Sequence, residues 1–172
     1  MKLSAKEKGL LVALGTWLAV LPILSYVHEF GHGLVCYSEG LAFTIDFVWI
    51  WATRVTCFGA VNNLVAYYFA GGGLAAVVAL FLTVTVGRLH KGIAVGLIAL
   101  AIGHIFAIPV ELVFQLWYST NQDWASVILI LLAIVSLCLC LSAIRFEGSP
   151  TKNKADKYAN ADPGQFIGRK HR

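Results

Sequence analysis

Residues His28, Glu29, Phe30, Gly31 and His32 spell H-E-x-x-H. On a helix, residues four apart lie on one face, so both imidazoles can reach a single metal ion. Glu29 is turned about 100° from His28, beside such a metal rather than on it. A carboxylate there can take a proton from a water that zinc has acidified to a pKa of about 7. The setting sharpens the motif. Two histidines and a glutamate interrupt an otherwise apolar run, where an ionised carboxylate costs several kcal/mol unless it serves a polar interior. A polar cluster that merely ties helices together is the competing reading.

A catalytic zinc site takes a third protein ligand. Asp123, in NQDW, opens a late apolar run. A helix start keeps a carboxylate ionised, although Asp there also serves as an ordinary N-cap. Glu111 lies inside the preceding run, two residues after Pro109, whose kink could aim it inward. The sequence favours Asp123 as ligand, with Glu111 as competitor or as a hydrogen-bonding partner of a ligand imidazole. Asp46 reads as a solvated turn residue. His104 shares a helix face with Glu111 but sits about 10 Å deeper, and reads as a tie between helices.

These residues must be positioned by membrane helices. Apolar residues make up 59% of the 172 and charged residues 13%, against about 25% charged in soluble domains. Mean hydropathy is +0.77. Four stretches are long enough to span a bilayer, near Gly9–Val35, Asn62–Val86, Gly92–Trp117 and Asp123–Ile144. Between the first two, LAFTIDFVWIWATRVTCFGA is rich in β-branched and aromatic residues and predicts one or two short strands. These must lie at the interface or against the bundle, since unpaired strands are not tolerated in lipid. The expected fold is therefore an all-α membrane bundle of about four transmembrane helices with a β-rich segment between the first two. Residues 1–146 form the membrane domain and 147–172 a flexible tail.

Gly71, Gly72 and Gly73 suggest close helix packing. Cys36 and Cys57 flank the β-rich segment and could pair in an oxidising compartment, though free thiols fit equally. Cys138 and Cys140 read as buried hydrophobes. Lys2, Lys6 and Lys8 precede the first apolar run, but no small-x-small site ends it, so an uncleaved span is expected. Every Lys and Arg except Arg54 falls on the side that holds both termini, which predicts a multi-pass protein with cytoplasmic termini. No basic–aromatic cluster suggests nucleic acid.

The segment VHEFGHGLVCYSEG, the β-rich stretch after it and the later FAGGGLAA together resemble the site-2 protease family of intramembrane zinc metalloproteases. The resemblance covers roughly residues 10–144 and implies a third ligand that is an Asp at the start of a later helix. Asp123 matches that position, with Trp124 where the family has Gly. It also implies a membrane-spanning protein substrate, partly unwound beside the strands. Family members place the metal nearer the cytoplasmic side, whereas the charge distribution here places it nearer the outer side. The short chain leaves any substrate-gating module to a separate regulatory partner.

The leading expectation is a membrane-embedded zinc metalloendopeptidase, one Zn2+ per chain, held by His28, His32 and Asp123 with Glu29 as base. The alternative is a non-catalytic membrane accessory protein with a structural or degenerate metal site. The presence of Glu29 argues against it, since a structural site needs no base. A histidine-box oxidoreductase would need many more histidines within the spans.

Overall fold

The computed structural model describes residues 3–49, 52–114 and 122–143, with backbone alone at 49, 52 and 122–126. Among these residues it contains four helices and one hairpin: α1 (Ala5–Ser38), β1 (Phe43–Trp49), β2 (Ala52–Cys57), α2 (Leu64–Thr85), α3 (Lys91–Val113) and α4 (Gln122–Ala143), with a 3-10 turn at Gly87–Leu89. Three helical segments, Ala5–Ser38, Leu64–Leu89 and Lys91–Val113, are long and apolar enough to cross a bilayer, and α4 carries the apolar stretch Val127–Ala143. The expected bundle with an inserted β segment is what the chain forms. The tail expected from residue 147 lies outside the described residues.

α1 begins earlier than its hydrophobic run. Ser4 and Glu7 form a capping box, in which Glu7 Oε2 accepts from the Ser4 N–H (2.7 Å) and Ser4 Oγ from the Glu7 N–H (3.3 Å), satisfying two otherwise orphan donors. The helix then presents one buried stripe: Gly9, Ala13, Trp17, Leu21, Leu24, His28, Gly31, His32 and Cys36. The histidines are thus phased with the packing face. Exposed apolar residues on the outside of the bundle, among them Leu11 and Ile23 of α1, Phe69 and Phe81 of α2 and Leu139 of α4, suit lipid contact.

Lipid is as apolar as leucine, so burial alone does not bring membrane helices together; close packing of small residues does. α1 and α3 run in the same direction in contact. A Cβ on Gly92 would sit 2.6 Å from the Gly9 carbonyl oxygen, and one on Gly96 2.6 Å from that of Ala13. α2 fits between them, with Gly31 of α1 against the Ala70 and Gly71 backbone and Gly72 against His104 and Ile108 of α3. α4 closes the far side, its Ala133 against Gly103.

β1 and β2 pair antiparallel, with Phe43 opposite Cys57, Ile45 opposite Val55, and a bulge between Phe47 and Trp49. A disulfide joins Cys36 of α1 to Cys57, Cα atoms 6.0 Å apart. A second tie lies at Glu39, just past α1. Its carboxylate accepts from the backbone N–H groups of Asn62 (2.7 Å) and Asn63 (2.8 Å), and these bonds hold its pKa below the usual carboxylate value. Asn63 Oδ1 in turn caps α2 through the Ala66 N–H (2.9 Å). The end of α1, the hairpin and the start of α2 are therefore tied together.

The α1–α3 crossing sets a test. Gly96→Val should destabilise the purified protein in detergent by about 1–3 kcal/mol, the usual cost of overpacking. Gly15→Ala, where a Cβ meets nothing within 4 Å, should be neutral. Equal unfolding midpoints for the two variants in a denaturant titration would show that the crossing does not depend on Gly96.

Candidate metal centre

His28 and His32 come from the last third of α1, where the buried stripe faces α2 and α3. Glu111 comes from the last turn of α3, one turn beyond the buried Ala107. Because α1 and α3 are parallel, both deliver their polar residues to the same end of the bundle. His28, His32 and Glu111 are 1%, 5% and 2% exposed, so water does little to screen them.

His28 Nε2 lies 3.1 Å from His32 Nε2 and 3.0 Å from Glu111 Oε1, and Glu111 Oε2 lies 3.5 Å from His32 Nε2. One ligand atom from each residue falls within 4.8 Å of the other two. The proton inventory shows what this cluster lacks. His32 Nδ1 is 2.7 Å from the Tyr67 carbonyl oxygen, which can only accept. That nitrogen is therefore the protonated one, and a neutral His32 turns a lone pair at Nε2 toward the cluster. Glu111 Oε2 is buried with no hydrogen-bond partner. Two imidazole nitrogens and a carboxylate thus converge with few donors among them, a set that a cation would satisfy. The group His28–His32–Glu111 can hold a metal ion.

α2 makes the room. A Cβ on Gly71 would run into His32 Nε2 and lie 2.9 Å from His28 Nε2. Tyr67, one turn earlier, stacks on the His32 ring with centroids 4.4 Å apart. The glycine run expected to serve packing therefore divides its labour: Gly72 admits α3, while Gly71 keeps the space beside the His28 and His32 Nε2 atoms clear.

Glu29 stands beside the cluster, its Oε2 accepting from the Val55 N–H at 3.0 Å. Val55 is paired with Ile45 in the hairpin, so β2 orients this carboxylate directly. A cavity of about 30 Å³ lies against the same group, large enough for a water molecule. Ser25, His28, Glu29, Thr53 and His104 supply its polar lining, and Ser25 Oγ and Thr53 Oγ1 are 3.0 Å apart.

Comparisons with family models, curated proteins and solved structures return no match to this chain. The site must be read from its own geometry. Of the two competing carboxylates, Glu111 is the one brought to the histidine pair, and the side chain of Asp123 lies outside the described residues. Asp46 sits on β1 opposite Arg54. His104, expected to serve as a helix tie, has its Nδ1 3.2 Å from His28 Nδ1. Its spacing from Glu111 hinted at this, but which α1 residue it meets depends on the helix crossing.

Gly71→Ala should lower metal affinity strongly although no ligand is changed. Gly73→Ala, whose Cβ meets only the Phe69 ring at 3.3 Å, should leave it intact. Chelator competition on both variants decides this, and equal affinities would remove Gly71 from the site.

Proposed function

We propose that this chain is a membrane-embedded zinc metalloendopeptidase in which His28, His32 and Glu111 hold the metal and Glu29 is the general base. The observation that carries the reading is the spacing of the ligand atoms. Zinc bonds of about 2.0 Å at tetrahedral angles put ligand atoms roughly 3.3 Å apart. The separations of 3.0, 3.1 and 3.5 Å, which involve both Glu111 oxygens, bracket that value. Two neutral imidazoles and one carboxylate also form the His2Glu donor set of hydrolytic zinc sites, which leaves a coordination position open.

When bound, zinc supplies Lewis-acid polarisation and makes water nucleophilic near neutral pH. The protein's own residues do the rest. With Glu29 Oε2 held by the Val55 N–H, Oε1 is left to take the water's proton and return it to the leaving amine. The β2 hydrogen bond fixes that carboxylate against rotation. The polar cavity offers a place for water beside it, in a bundle that otherwise excludes water. The substrate class proposed is a membrane-spanning protein segment, unwound near the hairpin, since a site inside a lipid-facing bundle is reached most directly from the bilayer.

The site is proposed to open on the non-cytoplasmic side, with both termini cytoplasmic. Two independent features support this: the placement of nearly all Lys and Arg on the terminal side, and the Cys36–Cys57 disulfide near the site, which suits an oxidising compartment.

Purified protein should hold one zinc per chain. His28→Ala, His32→Ala and Glu111→Ala should each lose most of it, while Asp123→Ala should retain it. Zinc kept by Glu111→Ala and lost by Asp123→Ala would transfer the third-ligand role to Asp123. Glu29→Gln should keep zinc but slow cleavage of a tagged single-span reporter in proteoliposomes by about 10²–10⁴-fold. A wild-type protein that holds zinc yet cuts no reporter would favour the accessory role.

For orientation, a cysteine placed at Ser149 should resist impermeant maleimide in intact cells and react once they are opened. Labelling from outside would invert the topology.

A further inference from the structure

His104 lines the cavity beside Glu29, and its ring also stands against a proposed ligand. His28 Nδ1 and His104 Nδ1 are 3.2 Å apart, with ring centroids 5.3 Å apart and planes tilted by 37°. This is hydrogen-bond distance. Two imidazole Nδ1 atoms can bond only if one carries a proton and the other does not. The tautomer of His104 is therefore tied to that of His28.

The tie matters because His28 faces two partners that make opposite demands. Its Nε2 is 3.0 Å from Glu111 Oε1. Without metal, an Nε2–H can donate to that carboxylate, and His28 Nδ1 must then accept from a His104 Nδ1–H. With metal, Nε2 must offer a lone pair, so the proton of a neutral His28 sits on Nδ1 and needs an acceptor. His104 Nδ1 becomes that acceptor, its own proton moving to Nε2. Each step relocates a proton within one ring, so both rings stay neutral and no net proton is gained or lost. His32 has no such freedom, because a carbonyl oxygen commits it to one tautomer.

We propose that His104 is a positioning residue for the metal centre, a reversible hydrogen-bond partner that lets His28 change tautomer between its metal-free and metal-bound forms. The proposal rests on the metal site above but not on proteolysis. An apolar side chain at position 104 would leave the His28 Nδ1–H buried without a partner in the loaded state. Loss of such outer partners weakens metal binding by about 10–100-fold. An asparagine amide keeps both capacities, since it can turn either its oxygen or its NH2 toward His28.

The test is zinc affinity by chelator competition for wild type, His104→Leu and His104→Asn, with unfolding of the metal-free proteins measured in parallel. The expected result is a roughly 10–100-fold loss for His104→Leu and near wild-type affinity for His104→Asn. A simple helix tie predicts instead that His104→Leu changes only metal-free stability, leaving affinity as in wild type; that outcome overturns the proposal. Should His104→Leu fail to fold, ring 15N spectra of zinc-loaded wild type decide: a protonated His28 Nδ1 with coupling to His104 Nδ1 supports it, and a bare His28 Nδ1 overturns it. Zinc binding without reporter cleavage would sink the protease reading and leave this one standing. No zinc binding by wild type would overturn both.

Discussion

Everything at the centre of this protein follows from three electron-rich groups buried together inside an apolar bundle. His28, His32 and Glu111 converge at hydrogen-bond separations inside an apolar bundle. In water such a cluster would be unremarkable, because solvent would supply the missing donors. Inside the bundle each lone pair without a donor raises the free energy of the fold. A metal ion held there would relieve all three at once, and would then also stabilise the arrangement that creates the site.

Bringing the groups together requires helices to approach more closely than ordinary side chains allow. The small residues of α3 seat it on α1, and Gly31, Gly71 and Gly72 let α2 fit between them. In a bilayer this packing replaces the hydrophobic drive that would assemble a soluble core. The same glycines thus serve helix packing and the shape of the site. Larger residues would keep the helices apart or, at Gly71, run into the His28 and His32 Nε2 atoms.

The hairpin gives the site its asymmetry. β2 holds Glu29 through Val55, and the disulfide and the Glu39 carboxylate fasten the hairpin and the start of α2 to the end of α1. The cluster and Glu29 are therefore held by different supports: His28, His32 and Glu111 by α1 and α3, the orientation of the Glu29 carboxylate by the sheet. A disturbance of the hairpin should reach Glu29 before it reaches the three clustered side chains.

The sequence alone determined what is local. Apolar runs gave the helices, because a bilayer's thickness sets the length of any segment that spans it. The i, i+4 spacing of His28 and His32 gave a pair on one face, because helix pitch is the same in every fold. β-branched and aromatic residues marked the hairpin. What crosses between helices was decided only by the tertiary structure. Nothing in the spacing of His28, His104 and Glu111 along the chain says that all three meet, since that depends on the depth and angle at which α3 crosses α1. The small residues of α3 carried only a partial signal, because Gly92 and Gly96 pack on α1 while Gly103 packs on α4. Reading Glu111 rather than Asp123 needed the knowledge that Glu111 faces His28 and His32 of α1. Gly71 was visible as a packing residue, but its place over two imidazole nitrogens was not, because a missing side chain shows its purpose only when its neighbours are known.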